Sequence, residues 1–286
     1  MIHTLPLHRL KVIDLDHCFA IHPSTILSLL TLQHNPSALE VLRMRFCDLE
    51  PMEGLPDNAP SDQTNQGQPQ DQAATSPTEP DPLDVSLINK IVDQMKEFKE
   101  LRVLDLTATC GIYGRELNRL FIRRVPETQD GDSASSPFPH LHELGVYPGS
   151  FSTKLLEAVG SRLEKVTIRL DEEIPVTGDC PRLTTALRVG KEALRELVVY
   201  ARGVLYVKPE KVTPCLPCEN LRVLIFLGER IDTSTLPLIV NNSPRLEYLE
   251  VSGSSHYRKK IKYHSNSLRV LSIVGDGFNG TGNLHI

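Results

Sequence analysis

Apolar residues recur along this chain in one short pattern. In LKVIDL, from Leu10 to Leu15, the first, fourth and sixth places are apolar, and eight later segments repeat this. They are LEVLRM from Leu39, LRVLDL from Leu101, LHELGV from Leu141, LEKVTI from Leu163, LRELVV from Leu194, LRVLIF from Leu221, LEYLEV from Leu246 and LRVLSI from Leu268. The fourth and sixth places lie two residues apart, so in an extended strand they share a face, while the fifth and seventh point to the other. One such strand cannot bury its apolar side alone; stacked copies form a parallel sheet over a continuous core. Single matches arise by chance in amphipathic segments, but nine in one chain, most at regular spacing, do not.

Between the strands the pattern predicts short helices. After Cys18, HPSTILSLLTLQHNP reads as a helix capped by Ser24 or Thr25 and stopped by Pro36. The clearest helix lies in DVSLINKIVDQMKEF, where Leu87, Ile88, Ile91, Val92, Met95 and Phe98 form one apolar stripe for core packing, with Asp84 or Ser86 as the cap. Weaker helical signals follow in STKLLEAV after Ser152 and from Thr235 to Asn242, where Pro237 suits a first turn.

Two polar stretches interrupt the pattern. Residues 51–82 are rich in Pro, Gln, Asp and Ser, and no Lys or Arg occurs between Arg45 and Lys90. Such a composition cannot offset its ordering entropy, which predicts disorder. Its Ser76-Pro77 pair has the form of a proline-directed phosphorylation site, a form common in disordered chain. Without this insert the 62-residue gap between the second and third segments falls to about 30, within the usual repeat length. A shorter polar loop, residues 125–139, stretches the next spacing to 40, and the remaining spacings are 22, 31, 27, 25 and 22. Residues 1–286 therefore read as one irregular solenoid holding two loop inserts.

The first segment extends to the fuller template L-x-x-L-x-L-x-x-N/C-x-L, with Cys18 in the N/C slot and Cys47 in the same slot of the second. This resembles the leucine-rich repeat of ribonuclease-inhibitor-like proteins. Openings such as Cys180-Pro-Arg-Leu183, Asn35-Pro-Ser-Ala-Leu39 and Ser243-Pro-Arg-Leu246 are similar to the repeat region of F-box proteins, the divergent fungal ones above all. The resemblance implies an α/β leucine-rich-repeat solenoid of about nine irregular repeats. Its curved parallel sheet would be concave, with helices and irregular returns on the convex side. It also implies repeats that bind a substrate protein for a ubiquitin ligase, with a separate F-box docking on the cullin-ligase adaptor. No F-box pattern is visible, and the repeats start at Leu10, leaving no room ahead of them. Adaptor contact is then expected only in trans. Neither end carries a recognisable cap, which is the expectation for a fragment or for ends covered by association.

Solenoids bind through the concave face. Early outward places are charged, with Asp14, Arg43 and Asp105 alternating in sign, the pattern of a self-neutralising ladder. Later ones gather Val198, Tyr200, Ile225 and Leu227, with Tyr147 and Arg169 nearby, an apolar cluster rimmed by Tyr and Arg of the kind that binds proteins. The alternative is that residues 203–217 fold over this cluster and bury it.

Composition narrows the function further. A formal charge of -5, no Trp and 5% aromatics argue against nucleic acid as a partner. The basic run His256–His264 reads as a solvated segment. The longest apolar stretch, Ile26 to Leu32, is too short for a membrane span, and no signal peptide is visible. Six scattered cysteines suggest reduced thiols in the cytoplasm or nucleus. Cys215 and Cys218 form a lone C-x-x-C; a zinc site needs a second pair, and Cys110, Cys180, His140 and His142 offer no fixed spacing. No catalytic or phosphate-binding motif appears, so neither enzyme nor cofactor is expected. The leading expectation is a non-catalytic protein-binding scaffold. The alternative is a leucine-rich-repeat regulator of an enzyme, such as a GTPase activator, using an exposed Arg among Arg43, Arg45 and Arg169.

Overall fold

The computed structural model describes residues 10–16, 18, 21–31, 38–45, 82–107, 138–146, 150–170, 180–205, 207–231, 235–252 and 266–274. Pro36, Cys47, Cys110, Tyr147, His256–His264, residues 51–81 of the first insert and 125–137 of the second lie outside them.

Each of the nine apolar segments contains one strand, and each strand opens at the third place of its segment. They are β1 (Val12–Asp14), β2 (Val41–Arg43), β3 (Val103–Asp105), β4 (Glu143–Val146), β5 (Lys165–Leu170), β6 (Glu196–Leu205), β7 (Val223–Ile231), β8 (Tyr248–Ser252) and β9 (Val270–Val274). All neighbours pair in parallel, and sheet order is chain order. The protein thus has an α/β fold built on one open, all-parallel sheet.

The register follows from the sequence pattern. Every fourth-place residue pairs with the next, from Ile13 through Leu42, Leu104, Leu144, Val166, Leu197, Leu224 and Leu249 to Leu271. A one-residue slip would turn this ladder, and the sixth places with it, out of the core. The ladder is buried from Ile13 to Leu249 and half-buried at Leu271. The first-place leucines from Leu39 to Leu246 are buried alongside it.

Helices α1 (Pro23–Thr31), α2 (Pro82–Met95), α3 (Ser150–Val159), α4 (Pro181–Val189), the single turn α5 (Pro209–Val212) and α6 (Leu236–Asn241) form the second layer. Their buried residues, among them Ile26, Ile91, Leu156, Leu187 and Ile239, join the fourth and sixth places in one core. At the end of α3, a Cβ on Gly160 would stand 2.0 Å from Val189 Cγ2, so glycine lets that turn seat against α4. Cys18 packs half-buried against this core, and Cys180 is buried in it. None of the helices among the described residues is long and apolar enough to cross a membrane.

Local details correct several expectations. Helix α1 starts at Pro23, so Ser24 and Thr25 lie inside it; His22 Nδ1 accepts from the Ser24 backbone N–H at 3.2 Å and takes the capping role. Helix α2 opens at Pro82, the last residue assigned to the first insert, so Asp84 and Ser86, expected at its cap, fall within the helix. Five of the six stripe residues, Ile88, Ile91, Val92, Met95 and Phe98, are buried, with Phe98 just past the helix end, whereas Leu87 is only half-buried. In the second insert, Phe138 is fully buried, and Pro139 O accepts from Arg162 Nη1 at 2.9 Å. The tail of that insert therefore belongs to the core. Pro237 sits in the first turn of α6 as expected.

Candidate partner-binding face

Third, fifth and seventh places share the sheet face opposite the core, and no described helix covers it. The third-place row, absent from the sequence reading, brings Glu143, Lys165 and Glu196 into register on β4, β5 and β6. Its signal was available: a period of two assigns the third place to the same face as the fifth.

In the first five strands, ion pairs tie this face together. Arg43 Nη1 is 3.5 Å from Asp14 Oδ2, and its Nη2 is 4.0 Å from Glu143 Oε2. Arg45 Nε donates to Asp16 Oδ2 at 2.8 Å, its Nη2 reaches the same carboxylate, and Asp105 Oδ2 lies 3.5 Å from Nε. Lys165 Nζ stands 3.6 Å from Glu143 and 3.1 Å from Glu196. Each cation is shared between two carboxylates.

These pairs shift titrations in ways that follow from the geometry. Burial, the largest single influence, pushes Asp16 up, but hydrogen bonds and charge from Arg45, with the Arg43 charge, hold it below the ordinary carboxylate value. The hydrogen bond to Asp16 raises Arg45 most; burial opposes it, and Asp105, Asp16 and Tyr200 add to the rise. Burial depresses Lys165 most, yet its hydrogen bonds and charge contacts with Glu196 and Glu143 leave it raised.

Asp105 and Thr107, expected on the open face, are buried, and Gly145 explains how. A Cβ at 145 would stand 2.0 Å from Asp105 Oδ1 and 2.5 Å from Thr107 Oγ1, so both side chains lean into the space that glycine leaves. The Thr107 backbone N–H donates to Asp105 Oδ1 at 2.9 Å. Among the described residues, Thr107 Oγ1 is buried without a hydrogen-bond partner, a cost of about 1–3 kcal/mol for a desolvated hydroxyl.

Later strands differ. Pairing sets Val198 beside Ile225 and Tyr200 beside Leu227, with Arg169 next to Tyr200. Five of the six residues expected to bind a partner are therefore contiguous; the sixth, Tyr147, lies outside the described residues. Ile225, Leu227, Tyr200 and Arg169 are half-buried, whereas Val198, expected to be exposed, is only 6% exposed between Thr167 and Ile225. The covering-loop alternative fails for residues 207–217. Val207, Val212 and Cys215 pack into the helix-side core, Thr235 Oγ1 donates to Val207 O, and Cys215 Sγ donates to Thr184 O at 3.2 Å.

The C-x-x-C cysteines sit in that same helix-side segment. Burial pushes the Cys215 thiol up and that of Cys218 to about 11, which keeps both protonated and poor as ligands or nucleophiles. Among the described residues no group of His, Cys, Asp and Glu could hold a metal ion.

Comparison with protein-family models, with curated proteins and with solved structures found no match. The fold and this face define an α/β protein with one open, nine-stranded, all-parallel sheet whose face opposite the core carries no helix among the described residues.

Proposed function

We propose that this chain is a leucine-rich-repeat scaffold that binds another protein through the open face of its sheet. The observation that carries this reading is the strand register. It sets Val198 against Ile225 and Tyr200 against Leu227, with Arg169 alongside, on the face that no described helix covers. A contiguous apolar strip with Tyr and Arg at its margin is the composition of a protein-binding centre. In its finer form, the scaffold is the substrate-recognition part of a ubiquitin ligase; that step rests on the F-box resemblance alone. The enzyme-regulator reading needs an available Arg on the face: Arg43 and Arg45 are each engaged by two carboxylates, and the third candidate, Arg169, is half-buried beside Tyr200.

The test is capture of the protein from its native cells beside an Ile225→Asp/Leu227→Asp variant whose circular dichroism is unchanged. Proteins lost selectively from the variant support the reading, and ubiquitin-ligase components among those retained support its finer form. Identical partners on both baits contradict it.

A further inference from the structure

The edge of the sheet where the strands begin carries a second charged row, formed by the second place of each segment. From β1 to β3 and again at β5, signs on this row alternate: Lys11 Nζ meets Glu40 Oε1 at 2.7 Å, and Arg195 Nη1 lies 3.5 Å from Glu164 Oε2. From β6 to β7 the alternation breaks, because Arg195 is followed on the adjacent strand by Arg222. Like charges on neighbouring strands are unfavourable.

Beyond this break lies an open cleft of about 300 Å³ lined by Arg222, Arg245, Glu247 and Arg269, with Asn266 at its wall. Backbone pairing fixes its frame. Glu247 N donates to Arg222 O and Arg269 N to Glu247 O, each at 2.8 Å, so the three side chains stand in a row on successive strands. Arg245 comes from the turn before β8. Its Nη1 donates to Asn220 Oδ1 at 2.8 Å, and Asn220 Nδ2 in turn donates to Glu192 O. That relay orients one guanidinium while leaving most of its donors unspent. The one carboxylate in the cleft, Glu247, is 3.9 Å from Arg222, both exposed, which is a weak pair. Among the described residues no ion pair engages Arg269. Three guanidinium groups thus face one carboxylate.

We propose that this cleft binds an acidic segment of a protein, seating a side-chain oxyanion, carboxylate or phosphate, between Arg245 and Arg269. Guanidinium groups bind both oxyanions through paired donors, and an open cleft at a sheet edge admits an extended chain. The bound anion supplies negative charge to a cleft in which three guanidinium groups share the single carboxylate of Glu247. This site lies on the strand-leading edge, apart from the open face, and stands or falls independently of it.

The test is fluorescence anisotropy at low salt with three labelled peptides: one with a central Asp/Glu run, the same peptide with a central phosphoserine, and a Lys-rich reference. Both acidic peptides are expected to bind and the Lys-rich one is not. Tighter binding of the phosphoserine peptide assigns the site to phosphate, and equal binding assigns it to carboxylate. Arg245→Glu and Arg269→Glu should each weaken binding about tenfold or more. Arg188→Glu, on α4 and paired with Glu157 well away from the cleft, should leave it unchanged. The inference is overturned if neither acidic peptide binds by about 1 mM, or if Arg188→Glu weakens binding as much as the cleft variants do.

Discussion

The early and late strands expose the same kind of surface built in opposite ways. On β1 to β5, each of Arg43, Arg45 and Lys165 is held between two carboxylates, so polar groups there are largely spent on one another. On β6 and β7, past Glu196, Val198, Tyr200, Ile225 and Leu227 meet side by side, and among the described residues no ion pair lies between them. Exposed ion pairs give little net energy to a partner, which must break them to use them, whereas half-buried apolar side chains lose only water. One backbone pattern thus gives a charged half that fixes the scaffold and an apolar half suited to contact.

The largest expected effect separates core from face within adjacent strands. Leu197→Ala, at a fully buried fourth place, should cost about 2–5 kcal/mol in urea unfolding. Ile225→Ala, half-buried on the open face, should cost roughly 1 kcal/mol or less for its partial burial. Equal losses would erase the distinction between the two faces.

A middle effect belongs to the early strands. Gly145→Ala forces a methyl to within 2.0 Å of Asp105 Oδ1 and 2.5 Å of Thr107 Oγ1. Both neighbours are buried, so displacement should cost about 1–3 kcal/mol. An unchanged midpoint would mean that Asp105 and Thr107 do not rest over that glycine.

The smallest effect is the pH dependence of the ionic half. Asp16 is held below its ordinary 3.8, so its contribution is fully present above that value and is lost as pH falls through the lower folded value. Thermal melts should therefore fall steeply only below about pH 4, and Arg45→Ala should flatten that limb. Lys165, held above 10.5, contributes fully below that value and loses its contribution only as pH rises beyond it. A melt that is flat below pH 4 in the unaltered protein would contradict the Asp16–Arg45 pairing.

Much of the fold was legible because its determinant is periodic. Fourth- and sixth-place apolar residues define a core face, and the pairing of Ile13 through Leu271 follows from stacking that face in register. Departures arose where a neighbour, and not the period, decides. His22 caps α1 because Pro23 fits its first turn, which moves the start ahead of Ser24. Asp105 is buried because Gly145, on the next strand, leaves room for it. The long strands β6 and β7 run past the repeating pattern, with a register shift between Ala201 and Val204 that no periodicity announces. Within the candidate site, the grouping of Arg169, Val198, Tyr200, Ile225 and Leu227 was readable from spacing, but the low exposure of Val198 was not. It depends on Thr167 and Ile225 crowding it from both sides.

The most direct measurement takes a captured partner and compares its affinity for two variants of the scaffold. One is Ile225→Asp/Leu227→Asp in the late strands; the other is Asp14→Ala/Arg43→Ala in the early strands, which removes an exposed cross-strand pair. The account predicts that the late variant weakens binding about a hundredfold, or 2.7 kcal/mol, while the early variant stays within about threefold of the unaltered protein. Loss confined to the early variant, or no loss in either, would contradict it.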